Sequence, residues 1–97
     1  MADTNYEITH NEGKQRFEIA VDGREAGYAS YVPRGGNVLD FNHTVVDQAF
    51  RGQGLSVPLI REALDHARAQ GATVRPTCSA VEHFIHKNED YRDLVAE

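Results

Sequence analysis

The sequence predicts a single α+β domain, an antiparallel meander followed by a βαβ crossover and a second helix. Three observations predict it. The first half alternates apolar and polar residues between turn signals, which is the period of half-buried strands. At Leu55 the period changes to steps of three and four, which is that of a helix with one buried face. A short run, Thr73-Val74-Arg75, then follows Gly71 and reads as a strand. The 97 residues fit one domain, 1–97, and apolar residues at 40% against charged residues at 26% place the chain among folded proteins rather than disordered tails.

Taken in order, Tyr6 to Ile8 is a short strand candidate and Asn11-Glu12-Gly13-Lys14 a turn. Phe17 to Val21 alternates cleanly, and Asp22-Gly23 follows directly. Asp-Gly between two alternating runs signals a tight hairpin, because both turn positions need positive φ. The return strand is expected from Arg24 to Val32, and Pro33-Arg34-Gly35-Gly36-Asn37 is expected to be a turn that continues neither helix nor sheet. Val38 to Val46 is the next strand, with Leu39, Phe41, His43 and Val45 expected on one face by simple alternation.

The first helix is marked by Leu55, Leu59, Ile60, Ala63, Leu64 and Ala67. Ser56 is its expected N-cap, Pro58 falls in the first turn, and Gly71 is the expected stop. Pro76 ends the short strand, Ser79 is expected to cap a second helix to about Lys87, and Asp90 to Val95 is too short to assign.

Composition removes some function classes. The net charge is −5 and the eight arginines are scattered, so the basic patch of a nucleic-acid binder is missing from the sequence. One cysteine, Cys78, allows no internal disulfide and fits a reducing compartment. No signal-peptide pattern and no long apolar run are visible, so a cytoplasmic protein without membrane contact is expected.

The chemistry-bearing segment is Arg51-Gly52-Gln53-Gly54-Leu55-Ser56, between a strand and a helix start. The first N–H groups of a helix have no intrahelical partner, and the helix dipole adds positive character there. Such a start is an anion site, phosphate above all. Gly52 and Gly54 let the backbone turn tightly and let a ligand approach it, and Arg51 can add a charge-assisted bond. No lysine follows, which excludes a P-loop, and the third glycine of a dinucleotide fingerprint is absent. On the loop alone, an ordinary strand-to-helix turn explains the residues equally well.

In context, Arg51-x-x-Gly54-x-Ser56 resembles the pyrophosphate loop of the GCN5-related N-acetyltransferase (GNAT) superfamily, whose pattern is Gln/Arg-x-x-Gly-x-Gly/Ala. Val45-Val46 resembles the end of the central strand in that superfamily. Asn11-Glu12-Gly13 with Phe17, His43-Thr44, Pro76 to Val81, Phe84-Ile85 and Asn88 to Tyr91 are similar to small single-domain members of about this length. Ser56 departs from the usual Gly or Ala, and Glu89 stands where the group commonly has proline.

The resemblance implies a minimal GNAT-like fold that binds acetyl-coenzyme A. It implies that residues 51–56 hold the pyrophosphate, that Asn88 lies close to the cofactor, and that a backbone N–H at Val45 or Val46 polarises the thioester carbonyl. It names no acceptor beyond an amine, because the N-terminal helices that form much of the acceptor site in larger members have no counterpart here.

Histidine is the side-chain type suited to proton transfer at neutral pH, so His43 can take the amine proton, or it is a structural histidine. Cys78 stands near a helix start, which favours thiolate. It is either an acetyl-accepting nucleophile close to the acetyl end of the cofactor or a small buried residue. His83 and His86 sit three apart without a well-spaced third ligand, so no metal is expected. Tyr91 reads as packing, and His10 and His66 suggest nothing. Three functions remain: an acetyl-CoA-dependent N-acetyltransferase, a CoA-binding or regulatory module with little turnover, and an interaction domain without cofactor.

Overall fold

Asp22 and Gly23 adopt φ of 50° and 82° and close the tight hairpin between β2 (Arg16–Val21) and β3 (Arg24–Arg34). The structure, a computed structural model, describes residues 6–96; the reading of the first five residues lies outside them. β1 (Tyr6–Asn11) flanks β2, and β4 (Val38–Val46) pairs antiparallel with β3. Helix α1 (Ser56–Ala69) then carries the chain back to β5 (Thr73–Pro76), which lies parallel to β4. The sheet order is therefore β1-β2-β3-β4-β5. Helix α2 (Ser79–Lys87) and a 3₁₀ turn at Glu89–Leu94 complete the domain, and the Ala96 N–H donates to the Val74 carbonyl at 2.8 Å along the outer edge of β5.

One face of the sheet is covered by α1. Leu59, Ile60, Ala63, Leu64 and Ala67 are all buried, and they meet Phe17, Ile19, Ala29 and Phe41 from the strands. Each large apolar side chain so buried contributes roughly 1.5–3 kcal/mol. Val81, Phe84 and Ile85 of α2 extend the same core. The opposite face is polar and pairs within itself: Arg16 Nε donates to Glu18 at 2.7 Å, and Ser30 Oγ donates to Asn42 at 2.8 Å.

Four expectations are corrected. β1 extends to Asn11, with the turn at residues 12–15. Pro33 and Arg34 continue β3, paired with Leu39 and Val38, and the turn is confined to residues 35–37. Proline is tolerated there because β2 pairs with β3 only as far as Ser30, so nothing on that side asks Pro33 for an N–H. Neither expected serine is a cap. Leu55 and Cys78 occupy the two N-cap positions, and neither helix start carries a side-chain cap bond.

The fourth correction bears on the site. Ser30 pairs with His43 but Tyr31 with Phe41, so Asn42 is an extra residue on β4, a bulge. Residues directly opposite in a ladder share a face. Leu39, Phe41 and Thr44 therefore share the α1 face with Pro33, Tyr31 and Ala29, whereas His43 and Val45 stand on the other face with Ser30 and Tyr28. Alternation assumes an unbroken ladder, and the bulge breaks it.

Candidate functional site

β4 and β5 pair from Val38↔Thr73 to Phe41↔Pro76, and there the ladder stops. The closed end is clamped. Cys78 N–H donates to the Phe41 carbonyl at 2.9 Å, and Thr77 Oγ1 donates to the buried Asp40 carboxylate at 2.6 Å. Arg34 donates to the same carboxylate through Nε and Nη2. Beyond Phe41, the edge of β4 that faces β5 has no strand beside it among the described residues from Asn42 to Val46. The sheet is split there.

Register decides which backbone groups face the split. Asp47 N–H donates to the Ala26 carbonyl, so alternate residues of β4, Val45 and His43 among them, spend their backbone on β3. Thr44 and Val46 turn theirs to the open edge. Of the two valines, Val46 therefore offers a donor at the split, while Val45 anchors the strand opposite Tyr28. Gly27 seals that anchor, since a Cβ there would lie 2.4 Å from the Val45 carbonyl oxygen.

The loop after β4 runs past the mouth of the split. Asp47 caps a 3₁₀ turn, Gln48–Phe50, by accepting from Ala49 N–H, and Arg51 Nε donates back to the Val46 carbonyl at 3.5 Å. Gly52 and Gly54 have φ of +88° and +69°, and no atom lies within 4 Å of where either Cβ would stand. With buried Leu55 at the cap position, no side chain satisfies the start of α1. Among the described residues, the N–H groups of Gly52, Gln53, Gly54, Leu55 and Ser56 donate to no protein acceptor. Several unpaired donors at a helix start, in open space, fit a diphosphate.

Cys78 lies across the split on the α1 face, with its sulfur 3.5 Å from Thr44 Oγ1. Burial pushes its thiol up, but the Thr44 hydroxyl and the backbone N–H groups of Val81, Ala80 and Thr44 outweigh it, and the net shift is downward. His43 is exposed on the opposite face. The fold thus brings Cys78, Thr44, Val46 and the loop to one opening, and holds His43 on its far side.

Asn88 caps the end of α2, its Nδ2 donating to the Phe84 carbonyl at 2.9 Å. It lines a groove of about 250 Å³ between α1 and α2 with Ser56, Val57, Ile60, Ala80, His83, Phe84 and Lys87. Glu89 is compatible with the turn that follows, and Tyr91 packs, with its hydroxyl donating to Asp65 at 2.8 Å. His83 and His86 lie on an open surface beside Ser79 and Glu82, and among the described residues no group of three His, Cys, Asp or Glu is placed to hold a metal ion. No helix among them is long and apolar enough to cross a membrane.

The sequence reading gave Thr44 no role. Its partner is 34 residues away, and nothing local marks it. The Asp40–Thr77 clamp was missed for the same reason.

Comparison with known proteins places this geometry. A family model described as GCN5-related N-acetyl-transferase matches residues 16–94. Protein NATD1 of Bos taurus is 26% identical over 84% of this chain and 73% of its own length, and that of Homo sapiens is 24% identical over 84% and 73%. The solution structure of a GCN5-like protein from Staphylococcus aureus superposes with a TM-score of 0.72 at 24% identity, covering 93% of this chain and 87% of that one. The GNAT family N-acetyltransferase YhbS of Escherichia coli, solved in complex with CoA, gives a TM-score of 0.56 at 28% identity over 65% of this chain and 40% of that one.

Proposed function

The chain belongs to the GCN5-related N-acetyltransferase family, and on that premise we propose that it binds acetyl-CoA and transfers the acetyl group to an amine. The observation that carries this reading is the split itself. The β4–β5 ladder ends at Phe41↔Pro76, and the uncapped start of α1 stands at its mouth. Acetyl-CoA supplies an activated acyl group as a thioester. Arg51, Gly52, Gln53, Gly54, Leu55 and Ser56 hold its pyrophosphate through backbone donors and one guanidinium. Ser56 and Asn88 line the groove beside the loop.

At the acyl end, the Val46 N–H is a fixed donor for the carbonyl oxygen as negative charge develops on it. The amine nitrogen bonds to the acyl carbon while the carbon–sulfur bond breaks. CoA leaves as the thiolate, and His43 takes the amine proton from the outer face. Cys78 stands at the same opening from the inner face, and a two-step route through an acetyl-Cys78 thioester is the variant of this reading.

A second reading is a CoA-binding module with little turnover. One observation favours it: the outer face around His43 is uncovered, so this chain builds few walls for an acceptor.

Thermal melting with acetyl-CoA tests binding. Ligand at 100 times its dissociation constant stabilises the fold by about 2.7 kcal/mol, a rise of roughly 10–20 °C for a domain of this size. Gln53→Glu places a carboxylate among the loop donors without touching Gly54, whose positive φ a side chain would strain, and is expected to abolish the rise. A rise unchanged by Gln53→Glu refutes the loop assignment. Release of free CoA thiol across a panel of small amines separates enzyme from binder. An acetyl adduct by intact mass that disappears in Cys78→Ala marks the two-step route.

A further inference from the structure

At the other end of the sheet, away from the split, His10 of β1 meets three elements at once. Its ring stacks on Phe17 of β2 at 4.2 Å with an interplanar angle of 7°. Its Nε2 is hydrogen-bonded to the Tyr31 hydroxyl of β3. The ring of His66, in the last turn of α1, meets it edge-on at 4.5 Å and also meets Phe17 at 5.3 Å. His10, Tyr31 and His66 line a groove of about 260 Å³ with Glu12, Asn37, Leu39 and Gln70.

β1 is an edge strand whose alternate side chains are exposed, and Ile8 and His10 are its inward residues beside the core. We propose that the His10–Tyr31–His66 cluster is an acid-sensitive latch that fastens edge strand β1 to the C-terminal end of α1. In the neutral form of His10, Tyr31 O–H donates to Nε2. A proton taken up at His10 Nε2 as pH falls displaces that bond. A positive charge on His10 is opposed by the partial burial of the site and by His66, one ring away. The other charged group facing His10 is Glu12, whose carboxylate lies 3.9 Å from Nδ1 but is largely exposed and opposes the effect weakly. Glu62 stands one turn earlier on α1.

The folded-state direction agrees: burial first, then His66, lowers His10 below an ordinary imidazole, against Glu12. A histidine depressed on folding binds its proton more readily in the unfolded or undocked strand. Its stabilising contribution is therefore whole above about pH 6.5 and is lost as pH falls below that value. Acid then loosens β1 and uncovers the edge of β2.

Amide hydrogen exchange between pH 7.5 and 5.0, corrected for intrinsic rates, tests this on the full chain. Protection in β1 is expected to fall about tenfold more than in the β3–β4 ladder. In His66→Gln part of that selective loss should vanish, the burial contribution remaining, and proton NMR should show the His10 midpoint moving up. His10→Phe keeps a ring on Phe17 without a titrating group and should make β1 protection independent of pH. Uniform loss across the sheet, or the same β1 loss in both variants, overturns the latch. An unfolded His10→Phe leaves the His66→Gln exchange and titration arms to decide.

Discussion

The two halves of β4 are built from similar residues and have opposite work. From Val38 to Phe41 the strand is paired on both sides, Phe41 is fully buried, and Asp40 is clamped by Thr77 and Arg34. From Asn42 to Val46 it is paired on one side, Val45 is 41% exposed, and the inner polar partner is a thiol. The first half holds the sheet together. The second leaves backbone donors uncommitted beside an uncapped helix start. The difference teaches that this fold makes its candidate site by stopping a ladder, and that the stop works only if the clamp just before it holds.

The comparison breaks most visibly at Phe41. Phe41→Ala removes a fully buried ring and is expected to cost about 3–5 kcal/mol in urea denaturation. A loss below 1 kcal/mol would mean that the closed half is not structural. Asp40→Asn is expected next, at about 1–3 kcal/mol, because the buried carboxylate gives up its charge-assisted bonds from Thr77 and Arg34. It also carries a pH signature. The Thr77 hydroxyl, opposed by burial and aided by Arg34, holds the Asp40 carboxyl below the ordinary carboxylate range. The unfolded chain therefore takes up the proton at higher pH. Stability from Asp40 is present above about pH 4 and is lost as pH falls through the lower folded value. Melting temperature against pH should show a steeper acid limb in the wild type than in Asp40→Asn.

In the open half the effects are smaller and chemical. Thr44→Val removes the hydroxyl beside the Cys78 sulfur and should slow thiol alkylation at neutral pH by a factor of about 2–10, the equivalent of one modest hydrogen bond. Thr44→Ser should restore the rate, and equal rates in all three proteins would deny the contact any role. Smallest of all, Val45→Thr should shift stability by no more than about 0.5 kcal/mol, because its side chain stands on the outer face. A large destabilisation would place Val45 back on the Phe41 face.

Much of the architecture was legible. Asp22-Gly23, the change of period at Leu55 and Gly71 are local signals, and each element they mark is present. Gly71 adopts φ of +69° just past the end of α1, as a helix stop requires. The geometry of the loop was legible too, because two glycines just before a helix mark positions of positive φ, and Gly52 and Gly54 adopt it. The uncapped start was not. Ser56 looks like a cap, and its one-residue displacement depends on Leu55 sinking into the core.

By itself, the sequence determined the order of strands and helices, the hairpin, the βαβ crossover and the glycine turn at 51–56 before the helix, because each is set by contacts within a few residues. The tertiary structure decided which of those pieces meet. The bulge at Asn42 turns His43 and Val45 away from Phe41, β5 ends at Pro76 and opens the split, and Cys78 reaches Thr44 across it. Each of these is a pairing between distant strands, and ladder register is a property of two segments at once, so neither segment read alone contains it.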